Sequence, residues 1–413
     1  MKYKYHFKLS FLHPIFNGNH QRTVPKSTIY KNHSLFVEQT QIINKEKGCA
    51  GIPFTRIETL SNGVFNYDRL GFSDIFDDSY SKYYLEKHDV LLSHINSEKF
   101  LGRSVLYLPQ KDDEKIIHGM NIFCLRYDSK KYNPTFFCWY TKSSLAKDFF
   151  RIYTKHAVNQ ASIPSSAIKE MPIPDIGLIK QKDIVLSLDR IQKSIIEKQG
   201  QLEFLDCLVK SRFMEMFGDK GFSEKPLSKY CFGNGAYGAQ SASAPFQEGR
   251  PRYVRITDIN DDGSLNDDVV CSINESDDMD YKLEYGDFLF ARMGATVGKT
   301  YAFITGNQIY AGYCIRFKLD TSKINPRYLF WLTKQENYWR WVKENQSGAA
   351  QPGINAKKYG SLPVLNAPID LQNQFASFVE LIDKSRFIVQ SQIKDLQELL
   401  DSKMDEYFGG DEE

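Results

Sequence analysis

Apolar residues recur every seven positions along two stretches of this chain. Leu188, Ile195, Leu202, Val209 and Met216 form one row within residues 181–218, with Ile191 and Leu205 on a companion row. Adding 191 to these numbers gives a second set within residues 372–409: Val379, Ile393, Leu400 and Tyr407, flanked by Ile382, Val389 and Leu396. A seven-residue apolar repeat marks a helix that buries a narrow seam against another helix. Each stretch therefore predicts a rod of roughly 57 Å at 1.5 Å per residue, and two such rods in one chain are expected to pack antiparallel. The seam has charged defects. Arg386 stands where the first rod has Ile195, and Lys198 and Arg212 interrupt the companion row. Long basic side chains can lie along a seam with their charge in water.

The rods close two copies of a longer unit. Pro53–Asn66 (PFTRIETLSNGVFN) is answered by Arg252–Asn266, and Arg56-Ile57 matches Arg255-Ile256 at an offset of 199. Asp89 matches Asp287 at 198, Gly102 matches Gly298 at 196, and Tyr132–Ser143 matches Ile324–Gln335 at 192. Asn159–Pro174 then matches Ala350–Leu365 at 191, the offset of the rods themselves. A monotonic drift is what loop deletions in one ancestral unit leave behind. Within each unit short alternating strands come first, for example Tyr253 to Ile259 and Asp287 to Arg292. An aromatic helix then starts at an Asn-Pro pair, where proline suits the first turn. A Gly/Ser/Pro-rich loop leads to the rod. The plan is domain, rod, domain, rod, with a pseudo-two-fold relation between the domains if the rods are antiparallel.

Composition narrows the class. The chain has 413 residues, 42% hydrophobic and 25% charged, which suits two or three globular domains. No run approaches eighteen apolar residues, so no transmembrane helix is expected. The start, MKYKYHFKLSFLHPIF, is basic but broken by His, Lys and Pro, unlike a signal peptide. Seven scattered cysteines (Cys49, Cys124, Cys138, Cys207, Cys231, Cys271, Cys314) include no C-x-x-C pair, which fits buried thiols in a reducing cytoplasm. The net charge of +2 conceals an asymmetry. Residues 1–175 carry 24 Lys+Arg against 17 Asp+Glu, a net +7, while residues 368–413 carry 4 against 11, a net −7. A basic first domain can meet phosphate. The acidic last rod is expected to face protein or solvent.

Several motifs resemble chemistry without completing it. Gly294-Ala-Thr-Val-Gly298-Lys299-Thr300 has three residues between its glycines where a phosphate loop needs four, so it predicts a tight turn presenting Arg292 and Lys299. Gly233-Asn-Gly235-Ala-Tyr-Gly238 spells G-x-G-x-x-G, but a Ser/Ala/Pro-rich segment follows instead of a helix, and a flexible loop is expected. Asn133-Pro134-Thr135-Phe136 approaches the N-P-P-Y/F motif of adenine methyltransferases yet lacks the second proline; with Asn325-Pro326-Arg327-Tyr328 it reads as a helix start. All eight histidines (6, 13, 20, 33, 88, 94, 118 and 156) lie in the first half, so no histidine chemistry is common to both units. None begins a metal-ligand set. Asp112-Asp113-Glu114-Lys115 reads as a charged turn, and the helical aromatics Phe136, Phe137, Trp139, Tyr140, Tyr328, Phe330 and Trp331 read as core.

Two divergent globular units alternating with two similar long helices, together with the stretches GDFLFARMGATVGKT and GAAQPGINAKKYGSLPVLNAPIDLQNQFASFVELID, resemble the specificity (S) subunit of type I restriction–modification enzymes. The resemblance covers about residues 45–409. It is looser in the first half, where NQASIPSSAIKEMPIPDIGLIKQKDIV lacks a glycine at the place of Gly353. It implies an α+β protein: two α/β target-recognition domains joined by two long antiparallel coiled-coil helices, with a pseudo-two-fold internal repeat. The first recognition domain would take residues 1–175, the first spacer helix 176–217, the second domain 218–367 and the second spacer helix 368–413. Each domain would read one half of a bipartite target in double-stranded DNA. The helices would set the spacing and bind two methyltransferase subunits, with restriction subunits completing a cytoplasmic complex. The S subunit itself carries no catalytic residues, cofactor or metal. Sequence readout needs side chains at base edges, held by phosphate contacts. The candidates are Arg292, Thr296, Lys299, Gln240 and Gln351 in the second domain, and Asn96, Lys99, Arg103 and Gln160 in the first. Two other classes stay open: a component with a fused or separate methyltransferase-nuclease, which needs a catalytic motif, and a DNA-independent scaffold, which a band shift would separate from DNA recognition.

Overall fold

The computed structural model describes residues 36–38, 51–97, 100–156, 161–273, 278–348 and 352–409. They divide into two compact units. One takes the chain up to Glu197 together with the segment from Gln392; the other is Lys198–Ser391.

The first unit is built on four strands: β1 (Phe36–Glu38), β2 (Val90–Ser93), β3 (Ser104–Leu106) and β4 (Ile122–Arg126). They form an antiparallel sheet in the order β1-β4-β2-β3. Successive side chains point to opposite faces, and both faces are covered. Val90, Leu92, Phe123 and Leu125 join the helical core. Leu91, Val105 and Cys124 join a second core with Leu60, Leu85 and Tyr107. The helices that follow are α1 (Pro134–Tyr140), α2 (Ser144–Tyr153), α3 (Ser165–Lys169) and the long α4 (Leu178–Phe217). The Asn-Pro start of α1 behaves as predicted. The Asn133 side chain accepts from the N–H groups of Thr135 and Phe136, and Pro134 occupies the first turn, where no donor is needed.

The second unit repeats this plan with β5 (Ala236–Tyr237), β6 (Asp287–Ala291), β7 (Thr300–Ala302) and β8 (Cys314–Lys318) in the same order, β5-β8-β6-β7. Then come α5 (Pro326–Leu332), α6 (Glu336–Asn345), α7 (Ala356–Gly360) and the long α8 (Ile369–Phe408). The correspondence extends to register. Val90 faces Leu125 and Leu106; Phe288, 198 residues on, faces Phe317 and Ala302. The Ser104–Thr141 hydroxyl pair at 2.7 Å returns as Thr300–Thr333 at 2.8 Å.

The deepest shared polar contact is a glutamine at the start of each rod, 1% exposed in both copies. Gln181 Oε1 accepts from the Asn133 N–H (2.8 Å), and its Nε2 donates to the carbonyls of Ile176 (2.8 Å) and Lys131 (3.2 Å). Gln372 does the same with Asn325 (2.9 Å), Ala367 (2.9 Å) and Lys323 (3.4 Å). A buried amide satisfied on both ends fixes the rod against the first helix of its globular part.

The rods span 40 residues each, about 60 Å at 1.5 Å per residue, beginning three residues before the predicted starts. In the first unit Ile184, Leu188 and Ile195 pack with Leu400, Met404 and Phe408. In the second, Val209, Phe213 and Phe217 pack with Phe375, Val379 and Ile382. Within each unit the segments run antiparallel. Tyr407 reaches Ser187 (3.3 Å) in the first, and Phe217 lies 5.6 Å from Phe375 in the second. The charged defect in the seam resolves locally. The Arg386 guanidinium bonds Asp206 and Asp383 and lies 6.0 Å above the Trp331 ring.

Two local expectations change. The G-x-G-x-x-G segment is not a free loop, because Ala236–Tyr237 is an edge strand on β8. A Cβ at Gly235 would overlap Phe317 and Ile315, and one at Gly238 would overlap the Tyr310 and Ala311 carbonyls, so these glycines serve packing. The strand expected over 253–259 stops at Val254. Residues 256–258 form a 3-10 turn, because Asp258 accepts from the Arg255 N–H at 2.9 Å and closes the backbone there.

Candidate nucleic-acid interface

The P-loop-like stretch is the turn between β6 and β7. Gly294 and Gly298 take φ of +68° and +88°, which only glycine adopts without strain. Four of its N–H groups are bonded within the protein. Gly298 N–H donates to the Ala291 carbonyl (3.1 Å) and the Tyr359 hydroxyl (3.1 Å), Val297 to Gly294 (3.2 Å), Lys299 to Thr296 (3.0 Å), and Gly294 to Pro352 (2.9 Å). Tyr338 donates to the Gly298 carbonyl (2.7 Å) and Tyr359 to that of Ala291 (2.8 Å). With these four donors taken up by the protein, the turn lacks the continuous run of free N–H groups that a phosphate nest uses. Burial raises the pKa of both tyrosines, keeping them as neutral hydroxyl donors.

The turn sends its two cations to different places. Lys299 is held internally: its Nζ is 2.9 Å from Asp261 Oδ1 and 3.3 Å from the Ile259 carbonyl, and the side chain is 23% exposed. Hydrogen bonding to Lys299 lowers the Asp261 pKa. Lys334 joins the same corner over the Phe330 ring (4.5 Å), its pKa pulled down to about 8 by burial. Arg292 instead lies on aromatic rings. Its guanidinium carbon is 4.8 Å from the Tyr237 centroid and 5.8 Å from that of Tyr313. One N–H group points at Met293 Sδ (3.6 Å), and Arg292 makes no ion pair among the described residues. Tyr237 and Tyr313 are 41% and 56% exposed, so the stack borders solvent. Gln240 is exposed and covers Gly312, beside Tyr313. Thr296 donates to the Met293 carbonyl (3.2 Å) and closes the 3-10 turn.

In the first unit Arg103 occupies the position equivalent to Lys299 and lies 4.6 Å over Phe100, half-buried. Asn96 braces its own strand end, donating to Ser93 Oγ (3.2 Å) and accepting from the Ser97 N–H (2.8 Å). Lys99, Gln160 and Gln351 lie outside the described residues, as do Cys49 and His6, His13, His20 and His33. The structure thus gathers Arg292, Gln240, Tyr237 and Tyr313 on one surface and pairs Lys299 with Asp261. Sequence reasoning missed the two tyrosines, because chain-wide aromatic content reads as core. Their signal was position: each sits beside a glycine-bearing strand end, where a large ring has no backbone reason to be.

Among the described residues no three His, Cys, Asp or Glu side chains converge on a metal-sized site, and no helix is long and apolar enough to cross a membrane. No protein-family model matches the chain. A Methanocaldococcus jannaschii protein, provisionally assigned as the MjaX specificity subunit of a type I restriction enzyme, is 34% identical over 187 residues. That match takes in 45% of this chain and 43% of the relative, so the chain spans less than half of the curated protein it matches. The crystal structure of the S subunit of a type I restriction–modification system from M. genitalium superposes over 95% of this chain and all of its own, with a TM-score of 0.56 at 15% identity. The fold is that of a type I specificity subunit. A second structure, from work on assembly and conformational transition of the type I system, covers 87% of this chain at a TM-score of 0.52 and 14% identity. The resemblance first carried by a few motifs and a heptad pattern thus holds in sequence over part of the chain and in fold over nearly all of it. The β6–β7 turn with its Arg292 stack lies in the second unit, and each glutamine clamp holds the start of a long helix.

Proposed function

We propose that this chain is the DNA-recognition subunit of a type I restriction–modification complex. Residues 1–175 and 218–367 form two recognition domains, each reading one half of a bipartite duplex target, and residues 176–217 and 368–413 form the spacer helices. The observation that carries the reading is the duplication. Two units share strand order, register, hydroxyl pair and glutamine clamp, yet differ in the side chains offered at their strand ends. One frame with two sets of side chains suits the reading of two different half-sites at fixed separation. Arg292, Thr296, Gln240 and Gln351 in the second domain, and Asn96, Lys99, Arg103 and Gln160 in the first, are the candidate contacts. Lys299, paired with Asp261 at 2.9 Å, is the remaining candidate, as a contact to phosphate.

The helices support two copies of one partner. Ile196 (57% exposed) and Phe387 (73%) are equivalent under the 191-residue offset, and so are Leu208 (36%) and Leu399 (44%). Solvent-facing apolar groups repeated on both rods suit one docking face used twice, here by two methyltransferase subunits, with restriction subunits joining the cytoplasmic assembly. Chemistry resides in those partners, and the isolated chain transfers no methyl group and cleaves no DNA. The test is a band shift and methylation-site mapping with the purified complex. A gapped target methylated on both halves is expected. Methyl transfer by this chain alone, or binding indifferent to sequence, overturns the reading.

A further inference from the structure

The two repeats place different side chains on one backbone position. The N–H of His94 donates to the Asn121 carbonyl (3.2 Å), and its own carbonyl accepts from the Ile163 N–H (2.8 Å). Arg292, 198 residues on, repeats both bonds: its N–H donates to Tyr313 (3.1 Å) and its carbonyl accepts from Ile354 (2.9 Å). The backbone leaves the second strand of each sheet in the same way, so any difference lies in the side chains. His94 turns inward. It is 3% exposed, stacks on Phe123 at 3.7 Å with 13° between planes, and bonds the Met120 carbonyl at 2.9 Å. Arg292 lies across Tyr237 and Tyr313 at the surface.

An arginine lying over aromatic faces has its guanidinium restrained, and the side-chain N–H groups of Arg292 that are not turned to Met293 Sδ make no other hydrogen bond among the described residues. The guanidinium fork matches the O6 and N7 acceptors of guanine in the major groove, the commonest specific arginine contact. A phosphate contact would not need this restraint. We propose that Arg292 reads a guanine in the half-site of the second unit, and that the equivalent position in the first unit, filled by buried His94, reads no base. This rests on the recognition-subunit reading given above.

The test maps methylated sites by sequencing DNA treated with the complex of this chain and its methyltransferase subunits. Three forms are compared: wild type, Arg292→Gln and Arg292→Lys. An obligatory G·C pair is expected in one wild-type half-site. Arg292→Gln should lower discrimination at that pair by about 10- to 100-fold, and at no other position. Arg292→Lys keeps the charge and loses the fork. It should retain overall affinity and salt dependence while relaxing the same pair, which guards against a folding failure of the glutamine variant. A uniform loss of affinity with a shallower salt slope identifies a phosphate contact and overturns the assignment. A specific wild type whose variants keep its target overturns the assignment alone. A wild-type complex that methylates no bipartite target overturns the recognition-subunit reading and this assignment with it.

Discussion

The two units agree where the backbone is paired and differ where it ends. Strand order, register, hydroxyl pair and glutamine clamp coincide across offsets that drift only with loop length. At the strand ends one unit buries a neutral ring, His94, and the other presents a cation, Arg292. Replacing a side chain that makes no ladder bond leaves the frame intact. A duplicated fold can therefore diverge in what it recognises without diverging in how it stands up.

The strongest way to break this comparison is to act on what the units share. Four residues inserted after Lys198 lengthen one rod by about 6 Å and turn it by about 40°. If the rods set the spacing, methylation at the original target should be abolished and should reappear at sites with the same half-site bases and a different gap. New half-site bases with the old gap would show that the helices read DNA. Next comes the clamp. Gln372→Leu leaves the Asn325 N–H and the Ala367 and Lys323 backbone carbonyls without their partner, and Gln181→Leu does the same in the first unit. Each loss should cost about 2–4 kcal/mol. Chemical denaturation followed by hydrogen exchange should locate it in the unit that carries the change. Equal loosening of both units would show that they do not respond separately.

Acid sharpens the contrast. The first unit holds His94 and His118, both with pKa lowered by burial, His118 to about 4; the second unit contains no histidine. A histidine whose folded pKa lies below its unfolded value near 6.5 contributes stability above that value and loses it as the pH falls toward the folded pKa. Between pH 6.5 and 5, His118 alone should cost the first unit about 2 kcal/mol. Amides of 90–93 and 122–126 should exchange faster at pH 5 than at pH 7, after correction for intrinsic rates, relative to those of 287–291 and 314–318. The smallest effect concerns Lys299. Its partner Asp261 is almost fully exposed, so Lys299→Ala should change stability by less than about 1 kcal/mol and leave the target bases unaltered. A changed base preference in that variant would return Lys299 to the reading surface.

Much of this was legible in advance because it is periodic. Seam residues from Leu188 to Tyr407 are buried or half-buried, and the Asn-Pro pairs begin α1 and α5. Repetition also exposed the turn glycines Gly102 and Gly298, both with positive φ and both without room for a Cβ against α2 and α6. What escaped depends on distant partners. Arg292 and Lys299 are neighbours in one turn and look interchangeable, but Asp261 captures only the lysine. The strand Ala236–Tyr237 was hidden because its reason to be extended is the edge of β8, far along the chain. Local pattern sets elements; which cation stays free is decided by tertiary neighbours.

Phe408 is fully buried against Phe136 and Tyr140, at 5.2 and 5.8 Å, in the core of the first unit. The ribosome makes it only after every residue of the second unit has been synthesised. Until then the first core is an open socket, and the last turns of α8 arrive as its plug. A chain cut short between Ser391 and Phe408 would have its second unit finished and its first exposed. Such a product would present bare aromatic surface to chaperones and proteases, which favours its removal.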